Sequence, residues 1–338
     1  MNFPKIPLSK TFRQQYTPEQ EIILKLQNGH QINKEEEDNL KEALKFYEEL
    51  FVFLLKVDLT TINDEDAINL IEYLYNAFPF EVFRQNEINV KNLYRVSFVK
   101  DAFLENGKLK DLKYLRHPPK EIIQNLGVYG RANTPNSTVF YAALKCSSAI
   151  YETKPCVGQK IIISHWINDS AKKFRAYTIS NNKTIDNEIL KSATKSFQEL
   201  LSTLHPLIAK ILDLYMEFIS SEFVKDIPVK NQKKYEYLYS AFFSDRILKN
   251  SFTKINDNEM PPFDCILYPS VATNYSSANL AIIPDSVTKL KPVYLEECLV
   301  LKTKYGDLNY SNNLFPINRQ IIRTATKFEG ERIIWSDD

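Results

Sequence analysis

Glycine is scarce in this 338-residue chain: there are seven, where average usage of roughly 7% would give about 24. No GxGxxG follows a strand-like run and no GxxxxGK[ST] occurs, which excludes the glycine-built phosphate cradles of Rossmann and P-loop proteins. The four cysteines, Cys146, Cys156, Cys265 and Cys298, have no CxxC spacing, and His30, His117, His165 and His205 form neither HExxH nor a paired-ligand pattern. No metal site is expected, and the cysteines are expected to be reduced and partly buried. Long apolar runs are missing too. The longest, Leu50 to Leu55, stops at Lys56, whereas a membrane-spanning helix needs about 20 residues, so no membrane association is expected. The opening MNFPKIPLSK has no apolar core and no small-residue cleavage site, so a secretory signal is not expected and a cytoplasmic location is. Charge of one sign is also lacking: 43 Lys+Arg stand against 42 Asp+Glu, which leaves no footprint for general nucleic-acid binding.

What is present is the composition of a globular protein, 44% hydrophobic, 12% aromatic and 25% charged, with enough chain for one large domain or two modest ones. The neutral average conceals a split. Residues 1–90 hold 9 basic against 16 acidic residues and the remainder 34 against 26. A basic body suits an anionic ligand; a solvated helical surface explains the same count.

The first ninety residues read as helices. Asn33 with Glu36 fits a capping box in variant form, and Leu40, Ala43, Leu44, Tyr47, Leu50, Phe51 and Leu54 follow on one face. Asn63 is expected to cap a second helix with Ile68, Ile71, Leu74 and Tyr75 inward and Pro79 closing it. From Leu93 the pattern turns to strands: LYRVSF (93–98), TVFYAA (138–143), KIIISHW (160–166) and FRAYTIS (174–180), with a short helix over 144–151. Helical spacing returns over 187–250, with a stripe of Leu200, Leu201, Leu204, Ile208, Ile211 and Leu212, Pro206 as a kink or break, and a further helix over 232–247. Strands resume with CILYPSV (265–271), NLAII (279–283) and VYLEECLVLKT (293–303). The expected class is α+β: a helical N-terminal segment, a strand-rich body and a helical insertion that splits it.

Two of the seven glycines fall in Gly127-Val-Tyr-Gly130, directly before Arg131, where the chain needs either a tight turn or close backbone approach. The stretch GRANTPNSTVFYAALKCSSAIYET then carries Arg131, a strand ending near Tyr141, and Glu152 among Ala149, Ile150 and Tyr151, an awkward place for an unpaired carboxylate. Arg95 lies inside LYRVSF on the face of Leu93 and Ser97, and Ser270 closes CILYPS.

Arg95 in a first strand, Gly130-Arg131, Tyr141 followed eleven positions on by Glu152, and Ser270 ahead of NLAII resemble the RES-domain family, named for its Arg, Glu and Ser. The resemblance covers roughly 93–153 and 264–284. It implies an ADP-ribosyltransferase-like β-core and an NAD+-consuming enzyme, acting by hydrolysis, phosphorolysis or ADP-ribosyl transfer. Many members are bacterial toxins neutralised by a helix-turn-helix antitoxin, which is the partner implied here; NAD+ would be substrate, with no resident cofactor. The implied domain boundaries are a helical segment at 1–90 and a RES-like catalytic domain at 91–338 with the insertion at about 187–250. Three departures stand out. Ala132 replaces the aromatic residue that often follows the GR pair, Glu152 and Ser270 are 118 positions apart, and ninety residues precede the domain.

The residue types fit that chemistry. Cleaving a nicotinamide–ribose bond passes through an oxocarbenium-like state, which Glu152 would stabilise. Arg95 and Arg131 offer planar forks for pyrophosphate, Tyr141 a ring or hydroxyl for nicotinamide or ribose, and Ser270 one hydrogen bond. The catalytic set is thus Glu152, Arg95 and Tyr141, and the NAD+-binding set Arg95, Arg131, Tyr141 and Ser270. Each residue also has a plain structural reading: Arg95 and Glu152 as an internal ion pair, Tyr141 as core, Ser270 as a strand end. Arg116 and His117 read as a solvated loop or as approaching the pocket, and His165 as a satisfied, partly buried histidine. Glu296 and Glu297 point to opposite strand faces. Three functions remain open: an NAD+ glycohydrolase or phosphorylase, an ADP-ribosyltransferase acting on a macromolecule, and a non-catalytic interaction protein.

Overall fold

The computed structural model describes residues 1, 3–5, 31–78, 85–168, 173–180, 187–227, 232–249, 262–305 and 315–337. Helix α1 (Lys34–Lys56) begins where Asn33 Oδ1 accepts from the Glu36 amide and the Glu36 carboxylate accepts from the Asn33 amide, both at 2.9 Å, a reciprocal cap. Its expected apolar face is buried as read, with Phe46 added. Helix α2 (Asp64–Ala77) is capped by Asn63 but buries a different stripe, Ala67, Leu70, Leu74 and Ala77. Ile68 and Tyr75 are 56% and 50% exposed, because two alanines allow close packing on the neighbouring face. Pro79 lies outside the described residues.

The body follows as β1 (Gln85–Ile88), β2 (Leu93–Phe98), the short β3 (Leu104–Glu105) and β4 (Lys108–Leu109), α3 (Lys120–Leu126), β5 (Phe140–Ala143), α4 (Cys146–Thr153), β6 (Lys160–Asn168) and β7 (Phe174–Thr178). Three helices come next: α5 (Glu188–Thr203), α6 (Pro206–Phe223) and α7 (Leu238–Lys249). The chain returns through β8 (Cys265–Pro269), β9 (Ala278–Ile282), the single turn α8 (Pro284–Val287), β10 (Leu290–Thr303), β11 (Ile317–Ala325) and the hairpin β12 (Lys327–Glu329) and β13 (Arg332–Ile334). Pro206 ends one helix and starts the next at its first position, with His205 as cap. The expected stripe therefore divides: α6 buries Ile208, Ile211 and Leu212, whereas α5 buries Leu190, Ala193 and Phe197 and leaves Leu200 exposed. The last helix runs 238–249 rather than 232–247.

Among the described residues, nine strands form one mixed sheet in the order β1-β7-β8-β9-β5-β2-β6-β10-β11. The fold is α+β. Among the described strands only β7 and β8 pair in parallel, and the crossover that joins them carries α5–α7. One sheet face bears two separate apolar clusters. Helices α1, α2, α6 and α7 pack over Tyr177, Ile266, Tyr268 and Ala281, while α4 packs over Val96, Ala143, Ile161 and Ile163. The opposite face is closed by Leu190 of α5, Val287 of α8, and Ile333 and Trp335 at the C-terminal end. The N-terminal helices are tied to the insertion: Lys210 pairs with Glu48 at 2.7 Å, Lys234 with Asp64 at 2.8 Å, and the Tyr239 hydroxyl donates to the Leu54 carbonyl at 3.1 Å.

Candidate active site

Between those two clusters lies a cavity of about 280 Å³, open to solvent, on the face of the sheet shared by α4 and the insertion. Its floor is a cross-strand row. Tyr94 on β2 lies opposite Ala143 on β5, Ala143 opposite Asn279 on β9, and Asn279 opposite Tyr268 on β8. Residues directly opposite in antiparallel pairs project to the same side, so four adjacent strands present this row to the cavity. Glu152 and Lys154 at the end of α4 form one wall, and Asp226, Ile227 and Tyr237 of the insertion form the other. Lys154 and Asp226 meet across the mouth at 3.5 Å.

Strands β2 and β5 meet in register at the single pair Tyr94–Ala143. Beyond it, Arg95 donates from Nη1 to the Tyr141 carbonyl at 2.9 Å and lies over the Phe140 ring, 5.2 Å from its centroid. Arg95 thus lies on the Leu93 face, with its guanidinium between the Tyr141 carbonyl and the Phe140 ring, and also borders the cavity. Its Nε is buried with no hydrogen-bond partner, and no carboxylate among the described residues pairs with it. Burial lowers its pKa to about 10, partly offset by Tyr141, and the group remains a cation at neutral pH.

Arg131 is engaged differently. It donates to the carbonyls of Phe223 and Lys225 and to the Tyr237 hydroxyl, the last two at 3.0 Å, and lies over the Tyr237 ring at 5.0 Å. Burial opposes its charge, but Tyr237, Tyr268, Glu152 and Tyr141 more than compensate and hold its pKa above the usual value. The turn before it requires its glycines for both of the reasons anticipated. Gly127 ends α3 in the left-handed region at φ +61°, and a Cβ on Gly130 would come within 2.3 Å of Asn133 Oδ1. Tyr141 fastens the same turn: its hydroxyl donates to Asn133 Oδ1 at 2.9 Å and accepts from the Ala132 amide at 2.8 Å. Burial pushes the phenols of Tyr141, Tyr237 and Tyr268 upward, so all three stay protonated at neutral pH.

Glu152 sits in the last turn of α4. One oxygen, Oε1, accepts from Ser270 Oγ at 2.6 Å and from Asn279 Nδ2 at 2.8 Å. Oε2 has no protein donor among the described residues. Ser270 is fully buried behind this contact. The structure therefore brings Arg95, Arg131, Tyr141 and Glu152 to one cavity with Ser270 against the carboxylate, and no ion pair joins Arg95 to Glu152. Four further residues had not been singled out: Asn279, Tyr237, Tyr268 and Asp226. Asn279 alone had a visible signal, an amide inside the apolar run ANLAI that needed a buried partner.

The other weighed residues lie elsewhere. Arg116 pairs with Glu331 at 2.8 Å, a correction to the solvated-loop reading, and His117 beside it is half-buried. His165 bonds Asn92 at 2.8 Å and stacks on Tyr94. Glu296 and Glu297 each pair with an arginine of β11, Arg319 and Arg323. The four cysteines are free, two buried and two half-buried. Among the described residues no group of three or more His, Cys, Asp or Glu could hold a metal ion, and no helix is long and apolar enough to cross a membrane.

A family model described as RES domain matches residues 109–301, more than half of the chain. The chain belongs to the RES-domain family. The match is continuous across the helical insertion and contains Arg131, Tyr141, Glu152, Ser270 and Asn279; Arg95 lies ahead of it. RES domains are associated with NAD processing and with toxins. No curated protein and no solved structure matches this RES chain.

Proposed function

We propose that this RES protein cleaves the nicotinamide–ribose bond of NAD+, by hydrolysis or phosphorolysis, and acts as a bacterial toxin or defence effector. The observation that carries the reading is Glu152: a carboxylate with one oxygen fixed by Ser270 and Asn279 and the other without a donor among the described residues, in a cavity also lined by two arginines that form no ion pair with a described carboxylate. In the reaction, the C1′–N bond breaks and its electron pair leaves with nicotinamide, which departs neutral and needs no general acid. Positive charge develops at C1′ and the ring oxygen, where Glu152 Oε2 stabilises it. Water or orthophosphate then adds to C1′ and releases one proton to solvent. Arg95, with spare donors, takes the pyrophosphate. Tyr141 shapes the pocket through its turn, and Ser270 orients Glu152. On this reading residues 91–338 are the catalytic domain on an ADP-ribosyltransferase-like core, residues 1–90 are an added helical segment, and a helix-turn-helix antitoxin is the partner.

Incubation of purified protein with NAD+, with and without phosphate, tests it. Free nicotinamide with ADP-ribose or its phosphate adduct is expected. Label transferred to a macromolecule would replace the reaction with ADP-ribosylation, and intact NAD+ under all conditions would overturn it. In cells, expression of wild type should arrest growth and Glu152→Gln should not.

A further inference from the structure

Glu152 does not face the cavity alone. Asn279 is the second residue of β9, in a strand otherwise made of Ala, Leu and Ile, and is 4% exposed. Its amide has a donor end and an acceptor end. A carboxylate only accepts, so the end that lies 2.8 Å from Glu152 Oε1 is Nδ2, and Oδ1 is left over. No donor among the described residues reaches Oδ1, yet the atom is absent from the polar atoms sealed inside without a partner, so it remains accessible. The same holds for Glu152 Oε2. Both residues line the cavity. Two bare acceptors, joined through one hydrogen bond and braced by Ser270, therefore border the same space.

Such a pair repels phosphate and carboxylate groups and calls for a ligand with two neighbouring donors. A vicinal cis-diol has that form. We infer that Asn279 is a substrate-recognition residue: its Oδ1 accepts one hydroxyl of a ribose diol, Glu152 Oε2 accepts the other, and Nδ2 keeps the two acceptors in register. The acceptor pair stands on geometry; its assignment to the nicotinamide-side ribose rests on the NAD+ reading above. A site built to bond a hydroxyl strongly rejects an analogue without it, because its own polar group is then left bare.

The test compares wild type and Asn279→Ala on NAD+ and on the two analogues that lack the 2′- or the 3′-hydroxyl of the nicotinamide ribose. Wild type should lose about 100-fold or more in kcat/KM on one of them. Asn279→Ala should lose about tenfold on NAD+ and nothing further on that analogue, since the bond is already gone. An equal loss on all three substrates would mean a purely structural amide and would overturn the inference while leaving the reaction intact. Asn279→Asp keeps the strand and the acceptor should the alanine variant not fold. It places a second carboxylate beside Glu152, in a cavity whose other charged and titratable groups are Arg95, Arg131, Lys154 paired with Asp226, and the protonated Tyr94, Tyr141, Tyr237 and Tyr268. The acid limb of its kcat profile should move to higher pH with hydroxyl discrimination retained; an unmoved limb overturns the Nδ2 contact. A wild type that binds NAD+ without cleaving it overturns the proposed reaction only, and the analogue comparison is then read from Kd. A protein that binds neither NAD+ nor ADP-ribose overturns both.

Discussion

The two walls of the cavity are built on different principles. The α4 wall is small: eight residues of helix over a modest apolar cluster, with Glu152 positioned by side chains from β9 and the end of β8. The insertion wall is the edge of a large aromatic mass in which Phe51, Phe78, Tyr215, Phe218, Tyr239 and Phe243 pack ring against ring across α1, the end of α2, α6 and α7. One wall fixes a charge with hydrogen bonds, and the other holds a shape with rings. Arg131 is their joint, since it comes from the turn that Tyr141 secures and ends on carbonyls of the insertion. A chain with little glycine can position reactive groups in this way because strand register and a packed helical layer replace loop flexibility.

That contrast breaks most sharply at Glu152. Glu152→Gln keeps the shape and removes the charge; nicotinamide release should fall about 10³-fold, read by a continuous product assay, while the Tm stays near wild type. If turnover falls because the protein unfolds, the α4 wall is structural and the comparison fails. Phe218→Ala attacks the other wall. Phe218 is buried and stacks on Phe51 at 4.8 Å, so its truncation should destabilise the protein by about 3–5 kcal/mol in denaturant titration. Arg131→Lys severs the joint: a lysine cannot reach three oxygens in a planar fork, and a loss of about 2 kcal/mol with a raised KM for NAD+ is expected. Unchanged kinetics would mean the walls are independent.

A smaller effect concerns pH. Glu222, 1% exposed on α6, has its pKa raised by burial, with Lys225 opposing. The folded state therefore keeps this proton at pH values where the unfolded chain has lost it. Stability falls as pH rises from the ordinary carboxylate range through the folded value, so Glu222 is a penalty at neutral pH. Glu222→Gln should flatten that slope and raise the Tm at pH 7. The smallest effect belongs to the exposed Lys154–Asp226 pair at the mouth, whose double-mutant cycle should give less than about 1 kcal/mol.

How much was legible follows the range of the interactions. The caps of α1 and α2 were readable because Asn33 and Asn63 bond within three residues of themselves. The strands that carry Arg95 and Tyr141, and the one that ends just before Ser270, were readable as short apolar runs of aromatic and β-branched residues. The faces of α2 and α5 were misread for two reasons. Alanines carry half of the buried stripe of α2, and Pro206 resets the helical phase, so a stripe drawn across it follows no real face. Tyr237 and Asp226 could not be found from sequence, since nothing local says that a crossover segment folds back against a helix some eighty positions earlier. The strands β11 to β13 were not read from the sequence although Arg323 stands opposite Glu297 in register and Arg319, opposite Val300, reaches diagonally to Glu296.

The parallel pairing of β7 with β8 sets an order on synthesis. Arg95, Arg131, Tyr141 and Glu152 all leave the ribosome before the crossover, while Ser270 and Asn279 arrive only after it. A nascent or truncated chain that stops short of β8 has a carboxylate with neither Ser270 nor Asn279 to brace it and a cavity that lacks the Tyr268 and Asn279 part of its floor. The cavity is thereby completed only after both of its walls have been made.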